Sequence, residues 1–143
     1  MDLLPFYLNQ VNKTLLQMLF IDTMRKSLVV KKPWGNFKQY TLNEPSTVKI
    51  ITVEPGQRLS KQSHRMRDEL WITLDEGAEI EIGDKKIRPR KDEEIWIPRN
   101  FAHRITAKDK RVKVLEISFG TFDEDDVIRY EDKYGRESAE KSG

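Results

Sequence analysis

The chain has 143 residues, enough for one domain with a buried core. Its 26 Lys and Arg against 24 Asp and Glu leave a net charge of +2, so no basic footprint for nucleic acid is present. The absence of cysteine excludes disulfides, thiolate metal sites and a cysteine nucleophile. A hydrophobic share of 37% beside 35% charged residues requires a compact core under a surface dense in both signs.

Leu4, Leu8, Val11, Leu15, Met18 and Leu19 recur at helical spacing and predict an amphipathic helix over 3–25, with Pro5 in its first turn. Asp2 stands where a signal peptide would be positive, and Asn9, Gln10, Asn12, Lys13 and Gln17 interrupt the apolar run. The segment is therefore read as a helix packed on its own domain or on a partner subunit, not as a leader or a membrane span. The expectation is a cytoplasmic protein without membrane contact.

From Val29 onward the pattern changes to short strands separated by turns. Strands are expected at 27–31, 36–41, 46–53, 58–64, 69–74, 78–82, 85–88, 94–97, 102–107 and 111–119. Turns are expected at Pro33–Gly35, Asn43–Pro45, Pro55–Gly56, Asp75–Gly77, Gly83–Asp84, Pro98–Asn100 and Lys108–Lys110. Many short strands at close spacing indicate an all-β fold, a single jelly-roll β-barrel carrying an N-terminal amphipathic helix. The division is a helix over 1–26, the barrel over 27–136 and a flexible tail over 137–143.

The two histidines, His64 and His103, each follow a proline-containing turn, Pro55–Gly56 and Pro98–Asn100. Strand periodicity would place Gln62, His64 and Met66 on one face of 58–66, and a turn or bulge near Arg67–Asp68 would be needed to aim Glu69 the same way. Imidazole suits Zn, Fe, Ni or Mn, and Glu69 would add a hard oxygen, so His64, Glu69 and His103 form a candidate metal set, with Gln62 able to complete it. Two satisfied structural histidines are the alternative. Glu116 lies on the same side of its strand as Val114 and Ser118: it is either a buried base with a raised pKa or an outward-facing glutamate. Arg58 and Lys61, beside the motif strand, are either phosphate contacts or solvated surface charges. Trp34 is either a core aromatic or part of a sugar pocket.

Pro55 through Glu69, followed by Pro98 through His103, resembles the two motifs of the cupin superfamily. Lys32-Pro33-Trp34-Gly35, Pro55 through Ser60, Gln62-Ser63-His64, Ile97-Pro98 with His103, and Asp125 through Arg136 resemble more narrowly the type II mannose-6-phosphate isomerase domain, often fused behind a mannose-1-phosphate guanylyltransferase. The similarity spans roughly residues 31–136. After Ser63 the family pattern resembles three histidines and then Arg-Ala-Glu-His-Trp, where this chain has Met66 and Leu70 in place of histidines. The resemblance implies a cupin barrel, a divalent metal (Zn, Mn, Co or Ni) and interconversion of mannose 6-phosphate with fructose 6-phosphate. It also implies Arg129 and Arg136 of the tail motif as groups facing an anionic substrate, and a homodimer. A non-catalytic cupin that binds a sugar and partners a separate guanylyltransferase is the alternative, favoured by Met66 and Leu70.

Overall fold

The computed structural model describes residues 24–137. The helix expected over 3–25 lies outside them except for Met24 and Arg25, neither of which is helical. The tail expected over 137–143 lies outside them except for Glu137.

Among the described residues the chain forms eleven strands: β1 (Leu28–Lys32), β2 (Gly35–Gln39), β3 (Ser46–Val53), β4 (Lys61–Ser63), β5 (Arg67–Thr73), β6 (Ala78–Ile82), β7 (Lys85–Ile87), β8 (Glu94–Ile97), β9 (His103–Ala107), β10 (Val112–Gly120) and β11 (Ile128–Glu131). β1 and β2 make a two-stranded ribbon. The remaining strands form a four-stranded sheet in the order β3-β10-β5-β8 and a five-stranded sheet in the order β11-β4-β9-β6-β7, all paired antiparallel. From β3 onward, apart from the β6–β7 hairpin, consecutive strands alternate between the two sheets, and each sheet buries one face against the other.

Alternation along the strands builds the core between them. Trp71 of β5, Ile95 and Ile97 of β8, and Val112 and Val114 of β10 meet Ala78 and Ile80 of β6 and Ile105 and Ala107 of β9. These residues share inward parity on strands whose register is fixed by long pairings. The opposite face of the four-stranded sheet is apolar too, where Leu70, Ile72, Trp96, Ile117 and Phe119 form a second cluster. The segment before β3 covers it: Tyr40 packs against the cluster and the Arg25 guanidinium lies 4.1 Å from the Phe119 ring centroid. Ser27 fastens this cover, its backbone N and Oγ each donating to the Glu94 carboxylate at 2.7 Å.

Most strands fall where the pattern places them, but the motif segment does not run as expected. β4 ends at Ser63, the chain bends at Arg65–Met66, and β5 begins at Arg67. The bend is held from a distance: the Asp126 carboxylate accepts from the backbone N–H of Arg65 at 3.0 Å and of Met66 at 2.9 Å. Met66 therefore does not share the inward face with His64, being 46% exposed. The turn that re-aims Glu69 lies before Arg67, not at Arg67–Asp68. β11 was not expected as a strand; it adds to the free edge of β4, with Arg129 opposite Gln62 and a bulge before Glu131.

Gly120 closes β10 against this bend at φ +107°, a conformation that side chains rarely adopt. A Cβ there would stand 2.6 Å from the Met66 carbonyl oxygen, which is backbone and has little room to yield. Gly120→Ala is expected to lower the unfolding free energy by about 1–3 kcal/mol, measured by urea denaturation; an unchanged midpoint would show that the bend tolerates displacement.

Candidate metal centre

The break between β4 and β5 decides what faces inward. Starting β5 at Arg67 puts Arg67, Glu69, Trp71 and Thr73 on one face, and all four are buried. Pairing with β10 sets Glu116 opposite Trp71 and Ser118 opposite Glu69, so Glu116 also points into the barrel and the outward-facing alternative is set aside. From the other sheet, His103 opens β9. Its neighbour segment is laced to the motif loop: Asn100 N donates to His64 O at 2.7 Å, and Arg99 N donates to Asp68 Oδ1 at 2.8 Å. The two histidine rings come to 5.1 Å between centroids.

Each imidazole is fixed in one tautomer. His64 Nδ1 lies 2.7 Å from Asp126 O and His103 Nδ1 lies 2.8 Å from Phe101 O. A carbonyl oxygen can only accept, so both Nδ1 atoms carry the proton and both Nε2 atoms present a lone pair. Burial pulls the pKa of each histidine down to about 4, helped at His64 by the neighbouring His103 and Arg67. The rings are therefore neutral near pH 7.

Those two lone pairs face a carboxylate. His64 Nε2 is 3.3 Å from Glu69 Oε1, and His103 Nε2 is 3.5 Å from Glu69 Oε2. Candidate ligand atoms of the three residues all lie within 4.8 Å of one another, and each residue is buried. Among the described residues His103 Nε2 is buried with no hydrogen-bond partner, an unusual cost unless something fills the site. Two imidazole nitrogens and a carboxylate oxygen are the donor set of a divalent transition ion, so the residues fit the metal that the sequence resemblance implies. His64, Glu69 and His103 would hold it.

A second carboxylate stands beside this set. Trp71 Nε1–H lies 3.1 Å from both Glu69 Oε2 and Glu116 Oε2, tying the two acids together. Burial, and then the charge of Glu69, push Glu116 up to about 7. Burial raises Glu69 as well, opposed by the Arg67 guanidinium and its hydrogen bond. Arg67 is the polar residue that sequence reasoning passed over: its Nε donates to Glu69 Oε1 at 3.1 Å and its Nη2 to the His64 Nε2 lone pair at 3.2 Å. Its position two residues before Glu69, on the same face, was the available signal.

Register sorts the other candidates. Gln62 pairs with His103 on one side and Arg129 on the other, so both stand on the face of the five-stranded sheet that carries His103. Gln62 Oε1 accepts from Ser60 Oγ at 2.9 Å, and Gln62 is not one of the clustered ligands. Lys61 alternates away from Gln62, and Arg58 bridges Thr106, which alternates away from Ile105. Both therefore stand on the outer face. Trp34 is 73% exposed at the tip of the β1–β2 ribbon, which belongs to neither barrel sheet. Arg136 grips Asp132 through Nε at 2.9 Å and Nη2 at 3.1 Å. Leu70 packs in the cluster on the other face of β5, so a leucine there leaves the cluster of Glu69 and Trp71 untouched.

Two sheets enclosing clustered histidine and glutamate side chains define a cupin barrel. Solved structures agree on the fold: a Cupin 2 conserved barrel domain protein from Salinispora arenicola CNS-205 (TM-score 0.50, 15% identity, covering 68% of this chain and 76% of that one) and the epimerase RmlC from Legionella pneumophila (TM-score 0.56, 9% identity, covering 73% and 69%). The chain belongs to the family described as mannose-6-phosphate isomerase C-terminal, which matches residues 22–132. Among curated relatives, it is 36% identical over 109 residues to the xanthan biosynthesis protein XanB of Xanthomonas campestris pv. campestris and to the mannose-1-phosphate guanylyltransferase ManC of Salmonella typhimurium. The matches cover 75% of this chain and 23% of each of those proteins.

A histidine depressed from 6.5 to about 4 contributes stability that is complete above pH 6.5 and lost as pH falls toward about 4, with a slope of up to about 1.4 kcal/mol per pH unit. Glu116, raised from 4.5 to about 7, acts oppositely, losing stability as pH rises between those values. The histidine contribution is therefore read as a difference. Relative to wild type, His103→Gln is expected to gain stability progressively as pH drops from 6.5 to 4 in thermal denaturation, and a constant difference would show that His103 is not held neutral.

Proposed function

We propose that this chain is a metal-dependent aldose–ketose isomerase that interconverts mannose 6-phosphate and fructose 6-phosphate in the synthesis of sugar-nucleotide precursors. The observation that carries the reading is the position of Glu116: a buried carboxylate with a pKa near 7, linked through Trp71 to a cluster able to hold a divalent ion. The family description and the biosynthetic names of the relatives support the substrate class.

The reaction moves one proton between adjacent sugar carbons through an enediolate, while the hydroxyl proton passes from one of their oxygens to the other. Ionised Glu116 takes the proton from one carbon and, now neutral, returns it to the other, for which a pKa near the working pH is suited. Trp71 orients the carboxylate and keeps it against the cluster. Gln62, beside His103 on the inner face, and Arg129, next beyond Gln62, bind the substrate anion and its hydroxyls and so aim the reacting C–H at Glu116. A bound divalent ion would polarise the neighbouring substrate oxygens and stabilise the enediolate charge.

A non-catalytic sugar-binding cupin that partners a separate guanylyltransferase is the second reading, favoured by Arg67, whose guanidinium already engages two of the three candidate ligands. We also propose a cytoplasmic homodimer with no membrane role; no helix among the described residues is long and apolar enough to cross a membrane. Its support is the edge strand β3, which among the described residues is paired on one side only and whose Val48 and Ile50 are 59% and 60% exposed. A second copy would satisfy both the free edge and the apolar side chains.

An isomerase assay with added Mn, Zn or Co separates the two functional readings. Turnover of mannose 6-phosphate is expected, with kcat rising through an apparent pKa near 7 as Glu116 ionises. Glu116→Gln should lower kcat by roughly 10²–10⁴-fold and remove that limb. A folded chain that turns over nothing with any of these ions leaves the binding module.

A further inference from the structure

The site already contains a cation. Among the described residues, Arg67 is the basic side chain that reaches into the His64–Glu69–His103 cluster, and it does so with two of its three nitrogens, Nε on Glu69 at 3.1 Å and Nη2 on His64 at 3.2 Å. The third, Nη1, donates to Asp123 O at 3.1 Å and lies 4.0 Å from Asp126 Oδ2. The guanidinium also rests over the Phe122 ring, 4.3 Å from its centroid. One end of the group thus occupies the donor atoms of a metal ion, and the other is seated on the 122–126 segment.

From this geometry we infer that Arg67 is a resident counter-cation that competes with the divalent ion for His64 and Glu69, and so sets the affinity of the site. The inference rests on the metal reading above. A nitrogen lone pair that accepts from an arginine cannot at the same moment bind a metal, so loading requires Nη2 to leave His64. The perch of Asp123, Asp126 and Phe122 gives the guanidinium somewhere to go: it can pivot about Nη1, keeping a carbonyl, a carboxylate and an aromatic face. A fixed positive charge a few ångströms from a divalent ion opposes binding in either position. While Arg67 remains in place it also keeps Glu69 from being buried as an unpaired anion, so the pocket stays assembled without metal. His103, whose Nε2 makes no hydrogen bond, is free to capture the arriving ion first.

The test compares Co²⁺ and Zn²⁺ binding to the full chain and to Arg67→Met by titration calorimetry, with the visible absorption of bound Co²⁺ as a second readout. The methionine fills the volume without charge or donor. Arg67→Met is expected to bind either ion at least tenfold more tightly than wild type, and Arg67→Lys, which keeps the charge but loses the planar fork, to lie between them. Equal or weaker binding by a folded Arg67→Met would overturn the competition while leaving the metal site standing. Failure of both wild type and Arg67→Met to bind any ion would remove the metal reading itself, and the inference with it. Should Arg67→Met not fold, a crystal structure of the wild-type chain soaked in Zn²⁺ decides: Arg67 must have left His64 Nε2, and an ion seated with that hydrogen bond intact would contradict the inference.

Discussion

Two imidazole lone pairs and a carboxylate are buried facing one another, and none of the three can satisfy another while the histidines are neutral and Glu69 is ionised. The backbone carbonyls of Asp126 and Phe101 enforce this by claiming the Nδ1 protons. Such a cluster persists only with positive charge inside it. Much of the local architecture serves to hold it together: Asn100 and Arg99 lace the two histidine segments, Asp126 clamps the bend at Arg65–Met66, and Gly120 leaves room for the bent backbone. The tail segment after β10 is thus part of the site, since it supplies the oxygens that set the tautomer of His64 and the seat of Arg67.

The same constraint explains the acids. Glu69 and Glu116 share one indole N–H; burial raises the proton affinity of both, and the charge of Glu69 adds to the rise at Glu116. Arg67 opposes that rise more strongly at Glu69, which it touches, than at Glu116. The outcome is two acids of different character within one pocket, Glu69 gripped by Arg67 beside the histidines and Glu116 able to gain and lose a proton near neutrality. Burying these groups works against stability, which fits a site shaped by chemistry.

How much of this was legible in the chain depends on distance along it. Strand positions from β6 to β10 follow from alternating side chains and glycine or proline turns, and His64, Glu69 and His103 meet as their motif spacing suggested. The parity argument failed at Met66 because it assumed one continuous strand. Neither Arg65 nor Met66 is a turn residue, and the bend is imposed by Asp126 some sixty residues away. β11 was missed for a related reason: the alternation of Ile128–Glu131 is only four residues long, and it is a strand because β4 offers a free edge. Arg67 was hidden among many basic residues until the start of β5 fixed its direction. Leu70 and Met66, which weighed against a metal site when set beside the family motif, lie on the far face of β5 and in the exposed bend, so the three candidate ligands are complete without them.

Everything in this site turns on whether His64, Glu69 and His103 together bind a cation. The direct measurement is the Co²⁺ stoichiometry of chelator-stripped protein by equilibrium dialysis, on wild type and on His103→Ala, with folding followed by circular dichroism. One ion per wild-type chain, lost in a folded His103→Ala, is the expected result. A wild-type chain that binds no ion, or a His103→Ala variant that retains it, would contradict the account.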